Sequence, residues 1–187
     1  RMVVRRMDRV GVLALQGCVE PHVTMLQRIG VEALRIRRKD QLAAIDRLIL
    51  PGGESTTMLK FLKQDSFFED LRRFCQTHPA WGVCAGSILL AQEVVHPAQD
   101  SLAVIPIKAH RNFYGSQLDS FQAEVYVTPL QRKIPADFIR APLLAPLVDS
   151  VKPIATYNDN VVSFQYERIL VSAFHTELRT DPSFHEY

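Results

Sequence analysis

The segment Trp81-Gly82-Val83-Cys84-Ala85-Gly86-Ser87 constrains this chain more than any other. It reads as the end of an apolar strand, a tight turn with a cysteine at its apex, and the start of a helix. A nucleophile on such an elbow needs small neighbours, and Gly82 and Gly86 supply them at the G-x-C-x-G spacing. Without a Cβ, glycine lets the chain turn sharply and lets a substrate come close to the backbone. The helix that follows aims its free N–H groups and the positive end of its dipole at the sulfur. The same N–H groups are placed to hold the oxyanion of a tetrahedral intermediate.

An elbow of this kind needs a sheet behind it, and the preceding residues supply strands at regular intervals. Residues 10–15 form a short apolar run ended by Gln16-Gly17, which reads as a buried strand. Pro21 suits the first turn of a helix, with Val23, Leu26 and Ile29 at helical spacing before Gly30. Residues 31–36, 47–50 and 81–83 read as three further strands. Pro51-Gly52-Gly53 stops the third of the four, and Ser55 or Thr56 is expected to cap a helix carrying Met58, Leu59 and Leu62. Residues 67–76 read as helical, and residues 88–93 are expected to begin the helix after the elbow.

Strands alternating with helices predict an α/β three-layer sandwich, a mostly parallel central sheet with helices on both faces. Ligands in such sheets sit beyond the carboxyl ends of the strands. Three loops gather there: Gln16-Gly17, the Pro51-Gly52-Gly53-Glu54-Ser55 turn and the Cys84 elbow. The second is not a phosphate loop, since the G-x-x-x-x-G-K-[ST] spacing is missing. Its glycines can still offer backbone N–H groups to an oxyanion or a carboxylate. Beyond residue 100 short β-like runs, such as 121–127 and 161–166, predict an antiparallel extension on one edge rather than a second domain. One domain over residues 10–187 is expected, after a basic lead-in over residues 1–9. The chain ends soon after Pro182, so a final helix is expected to be short or cut away.

The elbow is answered far downstream by Phe174-His175-Thr176-Glu177, after the apolar run 169–174. Residues i and i+2 of an extended chain point to the same side. Glu177 can therefore hold the ring of His175 while His175 faces Cys84, which makes a nucleophile, a base and an orienter. A lone cysteine after a strand is usually a small core residue, and a lone histidine at a strand end a satisfied polar group. It is the two motifs together that point to chemistry. Cys18 and Cys75 fit the structural reading, and no C-x-x-C or Cys/His cluster suggests a metal.

The bulk numbers exclude several classes. With 187 residues, 47% hydrophobic and 22% charged, the chain has the length and composition of a soluble globular domain. A net charge of +2 implies no obligate polyanionic partner, and the basic runs at residues 1–9 and 35–39 lack the interleaved aromatics of a nucleic-acid surface. No apolar run reaches membrane-spanning length, and the first residues lack a signal peptide's apolar region. Three cysteines, an odd number, argue against a disulfide framework and fit the reducing cytoplasm.

With these residues in hand, the chain resembles the class I (triad) glutamine amidotransferases. More narrowly, it resembles the glutaminase subunits of ribose-5-phosphate-dependent pyridoxal 5'-phosphate synthases. The elbow and H-x-E are common to the superfamily. The narrowing segments are Gly11-Val12-Leu13-Ala14-Leu15-Gln16-Gly17, Pro51-Gly52-Gly53-Glu54-Ser55-Thr56-Thr57, Arg111-Asn112-Phe113-Tyr114-Gly115-Ser116-Gln117 and Ile139-Arg140-Ala141-Pro142.

The resemblance implies a flavodoxin-like fold and no cofactor. It implies that Cys84 attacks the side-chain amide of L-glutamine, that His175 relays the proton and that Glu177 orients His175. Gly53, Glu54, Ser55, Arg111, Ile139 and Arg140 match the family's glutamine-binding positions. Backbone N–H groups of Gly53 and Ala85 match its oxyanion hole. By the same resemblance, ammonia passes to a (β/α)8-barrel synthase subunit in a hetero-oligomer, and docking switches the glutaminase on. Gln16 would then serve the interface or support the oxyanion loop. The family usually has proline where this chain has Thr176, whose side chain is expected to point away from the His175–Glu177 pair. Pro21, beside His22, and the early C-terminus also depart from it, both in regions the family uses for docking. Rival readings are another amidotransferase subunit, an independent γ-glutamyl peptide hydrolase and a non-catalytic scaffold.

Overall fold

A computed structural model describes residues 8–111 and 120–187. The motif residues Asn112 to Gln117 and the lead-in residues Arg1 to Met7 lie outside them.

The first half alternates as expected. Strand β1 (Arg9–Leu13) leads to α1 (Val19–Arg28), β2 (Glu32–Ile36), a 3-10 turn (Lys39–Ala44) and β3 (Arg47–Leu50). Helices α2 (Ser55–Leu62) and α3 (Phe67–Thr77) then precede β4 (Ala80–Val83) and α4 (Ala85–Leu90). The second half is strand-rich: β5 (Ala91–Val95), β6 (Ile105–His110), β7 (Phe121–Val127), β8 (Arg132–Phe138), β9 (Leu143–Pro146), β10 (Lys152–Tyr157), β11 (Asn160–Tyr166) and β12 (Ile169–Ser172). A short helix, α5 (Ser183–Glu186), follows.

Nine strands form one sheet in the order β2-β1-β3-β4-β12-β11-β10-β7-β8. From β2 to β12 the neighbours are parallel; from β12 onward they are antiparallel. The edge extension therefore exists, and it grows from β12, the strand that leads to His175. Helices flank the sheet on both faces. Consecutive strand residues point to opposite faces, and in β4 Trp81 meets His22 of α1 and Phe184 of α5, while an added Cβ on Gly82 would meet Gly86 and Leu90 of α4.

Two expectations need correction. Residues 91–93 do not continue the helix after the elbow. That helix stops at Leu90, and Ala91 opens β5, which pairs in parallel with β6. A continuous apolar run does not distinguish helix from strand, and here strand pairing decides. The cap of α2 is neither Ser55 nor Thr56 but Glu54, whose carboxylate accepts the Thr56 N–H at 3.1 Å. A separate three-stranded sheet, β5-β6-β9, was also not expected.

Candidate active site

The elbow is built by steric exclusion and hydrogen bonds. Cys84 sits between β4 and α4 with φ 51° and ψ −104°, a conformation costly for a residue with a side chain. Its N–H donates to Ser172 O at 2.8 Å, tying the elbow to β12. The Ser87 hydroxyl lies 2.9 Å from Gly82 O and 2.8 Å from Ser172 O, bracing the same junction. Gly86 is required by close approach: a Cβ there would lie 1.9 Å from Leu50 O. The α4 N-terminus thus packs directly on β3, with the thiol at its head.

His175 reaches this thiol from the end of β12. Its N–H donates to Asp137 O at 2.8 Å and its carbonyl accepts the Asp137 N–H at 2.9 Å, so β8 pins it from the far side. Arg179 makes two 2.8 Å bonds to the Asp137 carboxylate and braces that bridge. The continuation of β8 brings Ile139 O to 3.7 Å from Cys84 Sγ. On the other side Gly52 comes so close that a Cβ would lie 2.2 Å from His175 Cε1.

Behind His175, Glu177 Oε1 accepts from Nδ1, leaving Nε2 free to face the thiol. All three candidate side chains are buried. Burial opposes charging of His175, but its interactions with Cys84 and Glu177 hold its pKa well above the usual 6.5. Burial likewise works against the Glu177 carboxylate, yet the bond from His175 and the nearness of His22 bring it down to about 2. The arrangement thus keeps a carboxylate charged in a dry setting, where it stabilises an imidazolium.

A cavity of about 280 Å³ opens over the thiol. It is lined by Gly53, Glu54, Ser55, Ala85, Arg111, Ile139 and Arg140, so every expected binding residue meets Cys84 and His175 there. Arg111 lies 3.6 Å from Glu54. The Glu54 carboxyl is held below its ordinary value by the Thr56 hydroxyl first, with Arg111 and Arg140 adding to the effect. Gln16 also lines the cavity, and its side-chain carbonyl accepts the Glu54 N–H at 2.7 Å, holding the glycine loop. The Gly52 carbonyl accepts the Cys18 N–H at 2.9 Å, a second tie on that loop. Cys18, read from the sequence as structural, lines the cavity. The Thr176 hydroxyl is buried without a hydrogen-bond partner among the described residues. No cluster of His, Cys, Asp and Glu among the described residues is arranged to hold a metal.

The sequence reading missed His22 and His185, which lie buried behind Glu177. Their signal was weak: His22 shares the buried face of α1 with Val23, Met25 and Leu26.

Comparison with known proteins decides the family. The model of the SNO glutamine amidotransferase family matches residues 12–187. The chain belongs to that family. This amidotransferase is 41% identical over 180 residues to the pyridoxal 5'-phosphate synthase subunit PdxT of Thermosipho africanus, covering 96% of each chain. It is 44% identical over 181 residues to the PdxT subunit of Clostridium kluyveri, again with 96% of each covered. A crystal structure of a glutamine amidotransferase superposes with a TM-score of 0.89 at 38% identity, covering 95% of both chains. The PurLQS structure from Thermotoga maritima, at TM-score 0.66 and 15% identity, shares the fold.

Proposed function

We propose that this amidotransferase hydrolyses L-glutamine to L-glutamate and ammonia, and delivers the ammonia to a pyridoxal 5'-phosphate synthase. The observation that carries the chemistry is the meeting of Cys84 and His175 at one cavity, with the imidazole bonded to the Glu177 carboxylate behind it. The assignment to vitamin B6 synthesis rests on the PdxT relatives, which match this chain along nearly their whole length.

In this reading His175 Nε2, whose pKa is held high, takes the thiol proton, and the Cys84 sulfur then attacks the side-chain amide carbon of glutamine. The oxyanion is held by the N–H groups of Gly53 and Ala85. His175 returns the proton to the departing nitrogen, ammonia leaves, and a γ-glutamyl thioester remains. Water, activated by the same imidazole, cleaves the thioester and releases glutamate. Arg111 and Arg140 supply charge-assisted bonds to the α-carboxylate, Glu54 faces the α-ammonium, and Ser55 and Ile139 complete the wall. The polar, two-signed cavity wall suits a zwitterion better than a peptide.

The partner is a (β/α)8-barrel synthase subunit that docks at the carboxyl end of the sheet, where the Gln16 and Gly52-Gly53 segments lie. We read residues 10–187 as one amidotransferase domain, because one sheet runs unbroken from β2 to β8. Three free cysteines support a cytoplasmic setting, and no helix among the described residues is long and apolar enough to cross a membrane.

The test is glutamate release from glutamine by the chain alone and with a pyridoxal phosphate synthase barrel subunit, beside Cys84→Ala. Turnover stimulated by the barrel and abolished in the variant is expected. Full turnover without a partner would make the protein an independent hydrolase.

A further inference from the structure

Glu177 has two carboxylate oxygens, and His175 uses one. The other, Oε2, faces His22 Nε2 at 3.6 Å, an ionic contact just beyond hydrogen-bond length, and both atoms are buried without a hydrogen-bond partner among the described residues. His22, from α1, is itself fully buried. Its Nδ1 lies 2.9 Å from Nε2 of His185, which α5 contributes. Trp81 walls the pair edge-on, with ring centroids 5.5 Å from His22 and 4.7 Å from His185. Trp81 is fixed in turn by its own N–H bond to Ser172 Oγ at 3.0 Å.

The protons of this pair can be assigned by electrostatics. Burial pushes His22 down to about 4, against the attraction of Glu177, and pushes His185 well below its ordinary value. Both rings are therefore neutral at pH 7, with one N–H each. If His22 carried its proton on Nδ1, its Nε2 lone pair would face a carboxylate, and His185 would bury an N–H with no acceptor. With both protons on Nε2, His185 donates to His22 at 2.9 Å and the His22 N–H points at the Glu177 carboxylate 3.6 Å away. The second arrangement leaves only the bare His185 Nδ1 without a partner, which costs less than an orphaned donor beside a lone-pair clash.

We propose that His22 is a positioning residue for the amidase reaction: its Nε2–H pins the second oxygen of Glu177, and His185 fixes the His22 tautomer that presents this proton. Glu177 then cannot rotate away when His175 charges, and His175 keeps its Nδ1 proton and presents Nε2 to Cys84. The inference rests on the reading of Cys84, His175 and Glu177 as the catalytic set.

The test compares wild type, His22→Ala, His22→Gln and Cys84→Ala, each assembled with the barrel synthase subunit and checked for folding by thermal melting. In His22→Ala, kcat should fall about 10- to 100-fold, the loss expected when a buried carboxylate oxygen is left with no polar group facing it. The KM for glutamine should not move, because His22 does not line the cavity. The basic limb of the kcat/KM profile should shift to lower pH, since a looser Glu177 stabilises the His175 imidazolium less; Glu177, His175 and His185 are the titratable groups that face His22. His22→Gln should recover most of kcat, because its amide can donate to Glu177 and accept from His185. An unchanged kcat in a folded His22→Ala, with Cys84→Ala inactive, would overturn the inference and leave the catalytic set intact. If wild type releases no more glutamate than Cys84→Ala, the catalytic reading fails instead. The pinning is then decided by nitrogen NMR of the imidazoles. A proton on His22 Nε2 that responds to Glu177→Gln supports it, and a proton on Nδ1 overturns it.

Discussion

An imidazole buried in its neutral form gains protons on unfolding, which sets the sign of its pH effect. His22 has a folded pKa of about 4 against an ordinary 6.5. Between those values the unfolded chain binds the more protons, so stability rises with pH. The His22 contribution is fully present above about pH 6.5 and is lost as pH falls through about 4; His185 acts in the same direction. Glu177 adds stability that is present above its ordinary 4.5 and is lost as pH falls through about 2. His175 has the opposite sign: its raised pKa gives stability present below 6.5 and lost as pH rises through the folded value. The melting temperature should therefore fall between pH 6.5 and about 4.5, before the Glu177 contribution begins to be lost. His22→Gln should flatten that fall, since glutamine does not titrate. Calorimetric scans across this range check it, and an unchanged slope would place the titrating group elsewhere. At this scale the sequence was legible where chemistry and local spacing coincide, as in Cys84 between two glycines and His175 two residues from Glu177. It was not legible for His22 and His185, which lie 163 residues apart and acquire meaning only through contact.

Single elements show where local signals suffice and where neighbours overrule them. Glu54 takes the cap of α2 because its longer carboxylate reaches the Thr56 N–H and hydroxyl from an extended backbone. Glu54→Ala should remove the cap at about 1 kcal/mol, a drop of roughly 2–4 °C in melting temperature for a chain of this size. Glu54 also faces the cavity, so the KM for glutamine should rise with it. A melting curve beside glutamine kinetics separates the two effects, and a variant with wild-type stability would show that the cap contributes nothing. The helix after the elbow ended early for a different reason. Residues 88–91 are continuously apolar and buried, so periodicity is silent, and the pairing of β5 with β6 draws Ala91 out of the helix. Strand β6 did carry a signal of its own, with Ile105, Ile107 and Ala109 buried at alternate positions.

Across the whole molecule, the parallel half was readable because each strand of a doubly wound sheet is a short apolar run closed by a turn, as at Leu50-Pro51-Gly52-Gly53. The antiparallel half was readable only as β-rich texture. Its strand order depends on long-range pairings, and the separation of β5-β6-β9 into a second sheet has no local marker. Yet this half completes the site, because β8 and the segment after β12 meet at Asp137 and His175, and the residues after β8 bring Ile139 and Arg140 to the cavity. A ligand held at that junction should stabilise the two halves together. On the proposed function, the Cys84→Ala variant should bind glutamine without consuming it. At a glutamine concentration of about 100 times Kd, linkage gives about 2.7 kcal/mol, or roughly 5–10 °C in melting temperature. Adding Arg111→Ala or Arg140→Ala should abolish most of that shift, since each removes a cavity-lining cation that the proposed function sets against the α-carboxylate. Glutaramide, which keeps the amide but lacks both α-groups, should shift neither form. An equal shift with glutaramide would mean that the amide alone is recognised. The cavity arginines would then play no part in holding glutamine.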